Sequence, residues 1–337
     1  MLKLFILKKL PLPHLPMITP FFGENRGIST LFQKIPTNEY KGIFAIVSSA
    51  CEADYLLIPH NWNYIKHNEE YIRACELESQ KSGKKIIVFE YSDSHEPVVL
   101  KNSIVFRSSQ YKSLRRKNEI IMPAYVEDLG KNGIITRHTS AKPVVGFVGR
   151  SGFISLKDRL RYAIKFILKR GVFRDGRYFR RKAMEVCRKS DKVISNFIER
   201  KAYSAHAKTI EKDPSSARKE YINNMNESDL ILAPKGDGNY SLRFYEALSL
   251  GRLPIIIDTE MLFPLQDEIR YEEISLSCSI SELPIIDQKI ASFYAKLSKT
   301  DFEIRQNAAR DIFSRSLYMP QFLRKTLSKD YLRRYEA

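Results

Sequence analysis

The segment LILAPKGDGNYSLRFYEALSLGRLPIIID, residues 230–258, sets two apolar runs around a glycine turn and a short amphipathic stretch. Residues 230–233 form an apolar run of the kind that a parallel strand, buried on both faces, requires. Pro234 ends it, and Gly236 and Gly238 allow backbone dihedrals and close approaches that a side chain would block. Asn239 or Ser241 suits the N-cap of a helix, Leu248 and Leu250 continue its apolar side, and Gly251 stops it. Residues 253–258 then return as a second buried strand. Strand, turn, helix and strand in that order make a βαβ unit and predict an α/β fold with parallel sheets.

A glycine turn that feeds a helix N-terminus presents unpaired backbone N–H groups and the positive end of the helix dipole, which together attract an anion. Arg243 falls in the first turn, where the dipole disfavours a cation unless an anion lies nearby. Glu246 follows three residues later on the same face. Two readings stand side by side. One is a surface ion pair between Arg243 and Glu246 after an ordinary turn. The other is a cation for phosphate beside a carboxylate for vicinal hydroxyls, which suits a nucleoside diphosphate sugar. Neither the GxGxxG nor the GxxxxGK[ST] spacing is met, which speaks against NAD and ATP.

The rest of the 337-residue chain has room for two such domains. Apolar segments at 2–7, 42–49, 53–62, 84–97 and 103–109 read as strands, with a helix between them in which Tyr71, Ala74 and Cys75 are core positions and Gly83 the stop. The start, MLKLFILKKLPLPHLP, reads as a first buried strand rather than a leader, since its apolar run is short and two lysines follow directly. The texture changes near Thr136, and VVGFVGRSG, residues 144–152, restarts the pattern. Residues from about 301 onward are helical. No run of apolar residues is long enough for a membrane span. The four cysteines are scattered without CxxC spacing, as expected of reduced thiols. The net charge of +17 points to a polyanionic partner, which could be nucleic acid, a membrane surface or a phosphorylated substrate.

The segment PKGDGNYSLRFYEALSLGRLPIII resembles the C-terminal signature of exostosin-like glycosyltransferases, with its Ser-x-Arg-Phe, Glu-Ala-Leu and Gly-x-x-Pro-Ile. EADYLLIPHNW is similar to that family's Ala-Asp-x-Phe-x-Val-Pro strand, VVGFVGR to the strand opening its donor half, and IIMPAYVEDL to its Val-Ile-Pro segment. The resemblance implies a GT-B architecture, two Rossmann-like domains with parallel sheets facing a cleft and helices at the C-terminus. The expected domains are 1–140 on the acceptor side, 141–315 for the nucleotide-sugar donor, and 316–337 as a terminal helix returning to the first. Carried over by residue, Lys235, Gly236 and Gly238 approach the diphosphate, and Asn239, Tyr240 and Ser241 offer it the helix N-terminus. Arg243 and Arg150 neutralise it, and Glu246 holds the ribose hydroxyls. Many retaining enzymes of this architecture carry two glutamates with seven residues between them. Gly238 stands at the first of those places, so inversion is expected.

An inverting transferase needs a base on the acceptor side, from a loop at the carboxyl end of a first-domain strand. His60, Asp93 and His95 meet that description. No metal or other cofactor is expected, because no Asp-x-Asp pair occurs and arginines can take up the donor's charge. The basic stretch 157–189, with Arg159, Arg161, Arg177, Arg180 and Arg181 among its cations, reads either as a solvated helix face or as a dock for an anionic inner leaflet. The expected setting is therefore cytoplasmic and peripheral to the membrane, with a glycan or lipid-linked acceptor and no specific nucleic acid. A basic nucleic-acid-binding protein and an inactive, sugar-nucleotide-binding relative are the alternatives.

Overall fold

The computed structural model describes residues 1–22, 35–201 and 213–336. The chain divides into two compact units: Met1–Val126 with Leu262–Leu265 and Arg315–Ala337, and Glu127–Met261 with Gln266–Ser314.

The first unit is built on a six-stranded sheet of order β2–β1–β3–β4–β5–β6, every neighbouring pair parallel. Its strands are β1 (Leu2–Ile6), β2 (Phe44–Val47), β3 (Tyr55–Asn61), β4 (Ile86–Glu90), β5 (Ser103–Arg107) and β6 (Glu119–Ile121). Every residue of β3, β4 and β5 is buried, which explains why their sequences are near-continuous apolar runs rather than alternating ones. Helix α1 (Glu69–Ser82) crosses between β3 and β4. The Asn68 side chain caps it by accepting from the Tyr71 N–H, and Gly83, at φ 67°, ends it in the left-handed conformation. Tyr71, Cys75 and Ser79 are its buried residues, while Ala74, expected in the core, is exposed. The buried stripe keeps a spacing of four, and Ala74 lies off it. The terminal helix Met319–Thr326 belongs to this unit and sets the Phe322 ring edge-on to Phe106.

The second unit has a five-stranded parallel sheet of order β11–β10–β9–β7–β8. Along the chain come β7 (Val144–Arg150), α2 (Leu156–Leu168), α3 (Gly176–Lys189), β8 (Ile194–Arg200), α4 (Pro214–Asn226), β9 (Leu230–Leu232), α5 (Leu242–Ser249), β10 (Leu253–Asp258), β11 (Leu276–Ser279), α6 (Ile286–Ala295) and α7 (Lys299–Ile312). Residues 127–143 are tied into this unit by polar contacts. The Arg137 guanidinium pairs with the buried Asp229 at 2.9 Å, and the Gln306 amide both accepts from the Arg137 N–H and donates to its carbonyl, each at 2.8 Å. Arg252 is fully buried and spends its donors on the carbonyls of Met225, Ile135 and Asn226 and on Gln306.

These two parallel sheets, each in its own unit, are the α/β class that the sequence predicts. In each sheet the strand order reverses once, between β1 and β3 in the first unit and between β7 and β9 in the second. At such a reversal the crossovers leave in opposite directions, and a crevice opens at the carboxyl ends of the two strands. Among the described residues, no helix is long and apolar enough to cross a membrane.

Candidate functional site

In the second unit, the reversal brings together the end of β7 and the loop that follows β9. Arg150 closes β7, and residues 233–241 leave β9 for α5. The Gly236 N–H donates to the Tyr240 carbonyl at 2.9 Å, which folds the loop back on itself. Asn239 is buried and exchanges two hydrogen bonds with Thr259, donating to its carbonyl at 3.1 Å and accepting from its hydroxyl at 2.7 Å. The loop is thereby fastened beside the end of β10. Of the two expected caps, Ser241 occupies the N-cap of α5, and its side chain makes no capping bond.

Arg243 comes off the first turn of α5 and lies along β7. Its guanidinium donates to the Val148 carbonyl at 3.0 Å and stacks on the Phe147 ring at 4.4 Å. A side chain at position 149 would place its Cβ 2.6 Å from this guanidinium, so Gly149 makes the arrangement possible. Arg180, from the middle of α3, approaches the same place and donates to the carbonyls of Arg150 and Lys235 at 2.9 and 3.3 Å. Among the described residues, neither Arg180 nor Arg243 forms an ion pair with a carboxylate. Burial, followed by the Arg243 charge, pulls the Arg180 guanidinium down to about 10. The Nε groups of Arg150, Arg180 and Arg243 are buried, with no hydrogen-bond partner among the described residues. A buried donor left without an acceptor costs about 1–3 kcal/mol. Three orphaned donors and two repelling cations around one turn are chemistry that an oxyanion would complete.

The Arg243–Glu246 ion pair considered from sequence is not formed. Glu246 is buried and accepts instead from Arg218 at 2.7 Å and from the Tyr221 hydroxyl at 2.6 Å, both on α4. Arg218 also reaches Glu127 at 2.8 Å. Each Glu246 oxygen keeps a second lone pair for a further donor such as a sugar hydroxyl. Arg150 pairs with Asp158 at 2.6 Å, and Arg177 reaches the same carboxylate at 3.0 Å. Burial alone would raise Asp158, but the bonds from Arg150 and Arg177 outweigh it and hold the carboxyl at about 2. Lys235 is buried and directs its ammonium to the Val172 carbonyl at 2.6 Å and over the Phe179 ring. Gly176 allows α3 to start against the 235–236 backbone, where a Cβ would come within 2.3 Å of two carbonyl oxygens.

Sequence reasoning missed Arg180, Arg218 and Tyr221 as parts of this cluster. A signal existed for Arg180, which shares the inward face of α3 with Gly176, Ala183, Met184 and Cys187 at spacings of three and four. Arg177, grouped with the surface cations from sequence, is likewise buried, against Asp158 and Asp175. No local spacing points to Arg218, because its partner Glu246 stands 28 residues away.

Three further candidates lie in the first unit. His60, in β3, is fully buried; the Leu10 N–H donates to its Nε2 at 2.9 Å, and its Nδ1 bonds the Pro13 carbonyl at 3.1 Å. Nε2 is therefore the unprotonated nitrogen and Nδ1 the donor, which leaves the ring committed to the fold. Asp93 and His95 are brought together on the loop after β4, with Asp93 exposed and the His95 ring edge-on to Tyr111. Arg107 holds that loop from below: it is fully buried, pairs with Glu119 at 2.6 Å, and donates to the carbonyls of Ser94, Glu96 and Ser109. Ser94 and Glu96 also border a pocket of about 500 Å³, with Trp62 and the buried Glu90 in its wall.

Residues 165–290 match the family model of the Exostosin GT47 domain. The resemblance to exostosin-like glycosyltransferases is borne out. The exostosin-like span holds Arg180, Arg218 and the whole 235–246 loop, while Arg150, His60, Asp93 and His95 lie outside it. No curated protein matches the chain. Among solved structures the chain is similar to a glycosyltransferase from Rickettsia africae ESF-5, at 12% identity over 98% of both chains with a TM-score of 0.45. It is also similar to the Anabaena protein HepE in complex with UDP-glucose, at 11% identity over 98% of this chain and 99% of that one, with a TM-score of 0.41. The similarity to TarM, at 12% identity and a TM-score of 0.35, covers 79% of this chain, which spans 58% of that protein.

The buried lysine makes a test of the cluster's electrostatics. Burial, and then the Lys169 charge, lower Lys235 from 10.5 to about 8. The unfolded chain therefore binds more protons between about pH 8 and 10.5, and stability must rise with pH through that window. Urea unfolding at pH 7.5 and 10 should show the wild type gaining ~2 kcal/mol more than Lys235→Met. An identical pH response in the two proteins would contradict the assignment.

Proposed function

We propose that this protein is an inverting glycosyltransferase that moves a sugar from a nucleoside diphosphate sugar to a glycan or lipid-linked acceptor, in surface polysaccharide synthesis on the cytoplasmic side of a membrane. The observation that supports this reading is the pair Arg180 and Arg243, without carboxylate partners among the described residues and with buried, unpaired Nε donors beside Arg150 and the 235–241 turn. A diphosphate offers acceptor oxygens of the right charge and spacing to several such donors at once. In this reading Lys235 acts through its backbone, since its ammonium serves the Val172 carbonyl. Gly236 and Gly238 allow the close approach, and Asn239, Tyr240 and Ser241 shape the turn. Glu246, oriented by Arg218 and Tyr221, takes the ribose hydroxyls.

The chemistry follows from these roles. A base removes the proton of the acceptor hydroxyl while its oxygen attacks the anomeric carbon from the face opposite the diphosphate. The bond from that carbon to the diphosphate oxygen breaks, and the arginines take up the charge gained by the leaving group. Gly238 offers no carboxylate for a double displacement, which favours a single inversion. Asp93 and His95 are the proposed source of the base, on a loop that Arg107 makes rigid. His60 drops from that role for the reason given by its hydrogen bonds. The arginines supply the positive charge that a metal would otherwise bring, so no metal is required.

Isothermal titration with UDP should give binding in the wild type and a loss of about 10- to 100-fold in Arg180→Ala and in Arg243→Ala, as expected for charge-assisted hydrogen bonds of ~1.5–3 kcal/mol. If no nucleoside diphosphate binds while an oligonucleotide does, the nucleic-acid alternative holds instead.

Asp93→Asn or His95→Ala should abolish transfer, measured as UDP release from a screened donor, with UDP affinity retained. Wild-type turnover in both variants would remove the loop from the mechanism. A wild type that binds UDP but transfers no sugar from any donor would be the inactive relative.

Transfer by the wild type should persist in EDTA. Loss of activity that manganese restores would overturn the metal-free mechanism.

A further inference from the structure

Helix α2 is amphipathic in the inverted sense. It faces its own unit with its polar and aromatic side: Asp158 receives Arg150 and Arg177, Tyr162 packs on Phe153 at 5.2 Å, and Phe166 packs on Tyr178 at 5.6 Å beneath Arg174. None of its residues is buried. At 100° per residue, Leu156, Leu160, Ile164, Ile167 and Leu168 fall together on the opposite side. They are 48–84% exposed, and Ile154 just before the helix continues the patch at 51%. A single exposed leucine is ordinary, whereas a contiguous stripe over three turns marks a surface that something covers.

The charges around the stripe indicate what covers it. Lys157 and Arg161 border one side of it, Arg159 the other, and Lys169 and Arg170 follow directly. The one acid of the helix, Asp158, is turned inward and neutralised. An apolar stripe between rows of cations complements a bilayer interface in which acyl chains lie beneath anionic headgroups. A second copy of the same helix would bring cation against cation, which opposes self-association.

We propose that α2 lies in the plane of an anionic membrane, with Leu156, Leu160, Ile164, Ile167 and Leu168 inserted at the headgroup boundary and the flanking cations on lipid phosphates. The surface is confined to α2. Of the α3 cations that share the basic stretch, Arg177 and Arg180 are turned into the fold, while Arg181, Arg188 and Lys189 are exposed but have no apolar stripe beside them. This inference stands apart from the donor site, because its test uses no nucleotide and no turnover.

Full-length protein is floated with phosphatidylcholine vesicles, with and without added phosphatidylglycerol, at low and high salt. The wild type should float with the anionic vesicles at low salt and much less with neutral ones. The double variant Leu160→Asp/Ile167→Asp should lose at least ~10-fold in partitioning, and Arg161→Gln about 5-fold, in line with the worth of one basic residue near a charged surface. Because these side chains are exposed, thermal unfolding and UDP titration of the variants should match the wild type. Absence of wild-type flotation, or equal flotation of the double variant, would overturn the proposal. Light scattering that shows a wild-type dimer, dissociated by the double substitution and indifferent to vesicles, would assign the stripe to a second copy instead.

Discussion

The guanidinium of Arg243 resting on the end of β7 is the contact around which the second unit is arranged. It requires a strand with no side chain at position 149, a carbonyl at Val148 left free on that side, and the Phe147 ring beneath. It also requires the strand order to reverse between β7 and β9, so that the helix carrying Arg243 starts beside β7. Once Arg243 is so placed, Arg180 meets it from α3, and among the described residues neither is ion-paired with a carboxylate, Asp237 and Asp175 acting on Arg180 only through space. Proteins rarely leave like charges together in a low-dielectric corner, because each raises the cost of the other. The exception is a site whose counter-charge arrives with the ligand, which is why this pair, more than the glycine turn itself, supports a donor diphosphate.

A comparison with the other buried arginines sharpens that inference. Arg107 and Arg252 are both fully buried, and each is surrounded by acceptors: a carboxylate and three carbonyls in one case, three carbonyls and an amide in the other. They are brackets, holding the 93–96 loop in the first unit and the 135–137 segment in the second. Arg218 belongs with them, since Glu246 and Glu127 balance it. Arg180 and Arg243 are only half-buried, yet their Nε groups are enclosed and they lack the balance. Burial of a cation is thus not by itself a functional signal, and neither is an unbonded Nε, which Arg218 also has; unfilled donors on a cation with no carboxylate partner among the described residues are the signal.

Much of the fold is legible in the sequence because its strands are parallel and buried on both faces. β3, β4 and β5 show themselves as apolar runs, as does β9 with Pro234 at its end. β8 does not, since it is an edge strand with no fully buried residue and its sequence, ISNFIER, has neither an apolar run nor clean alternation. The 235–241 loop is legible for the same local reason, its glycines and its helix being contiguous in sequence. What is not legible is partnership across the fold. Asn239 suits an N-cap by residue type, yet its partner is Thr259, twenty residues on. Glu246 faces Arg218 rather than Arg243, and His60 on a loop-like stretch proves to be a strand residue with both nitrogens engaged. Local periodicity carries no information about such pairs, which only the packing of distant segments creates.

The basic segment shows why net charge is a poor guide to a partner until burial is known. Read as composition, residues 157–189 are one cationic tract. In the fold, neighbouring turns of that tract face different ways. Arg177 and Arg180 go inward, the first to Asp158 and Asp175 and the second to strand and loop carbonyls, while Lys157, Arg159 and Arg161 frame an apolar stripe in solvent. Of the inward cations, Arg177 is already neutralised, and Arg180, fixed and partly desolvated, suits only a small anion that enters the crevice. The outward ones keep their water and respond to an extended anionic surface, screened by salt over about 10 Å. A single polyanionic partner cannot satisfy both. On the two proposals made above, the excess of positive charge divides between two separate recognitions, a diphosphate held by geometry and a lipid face held by area.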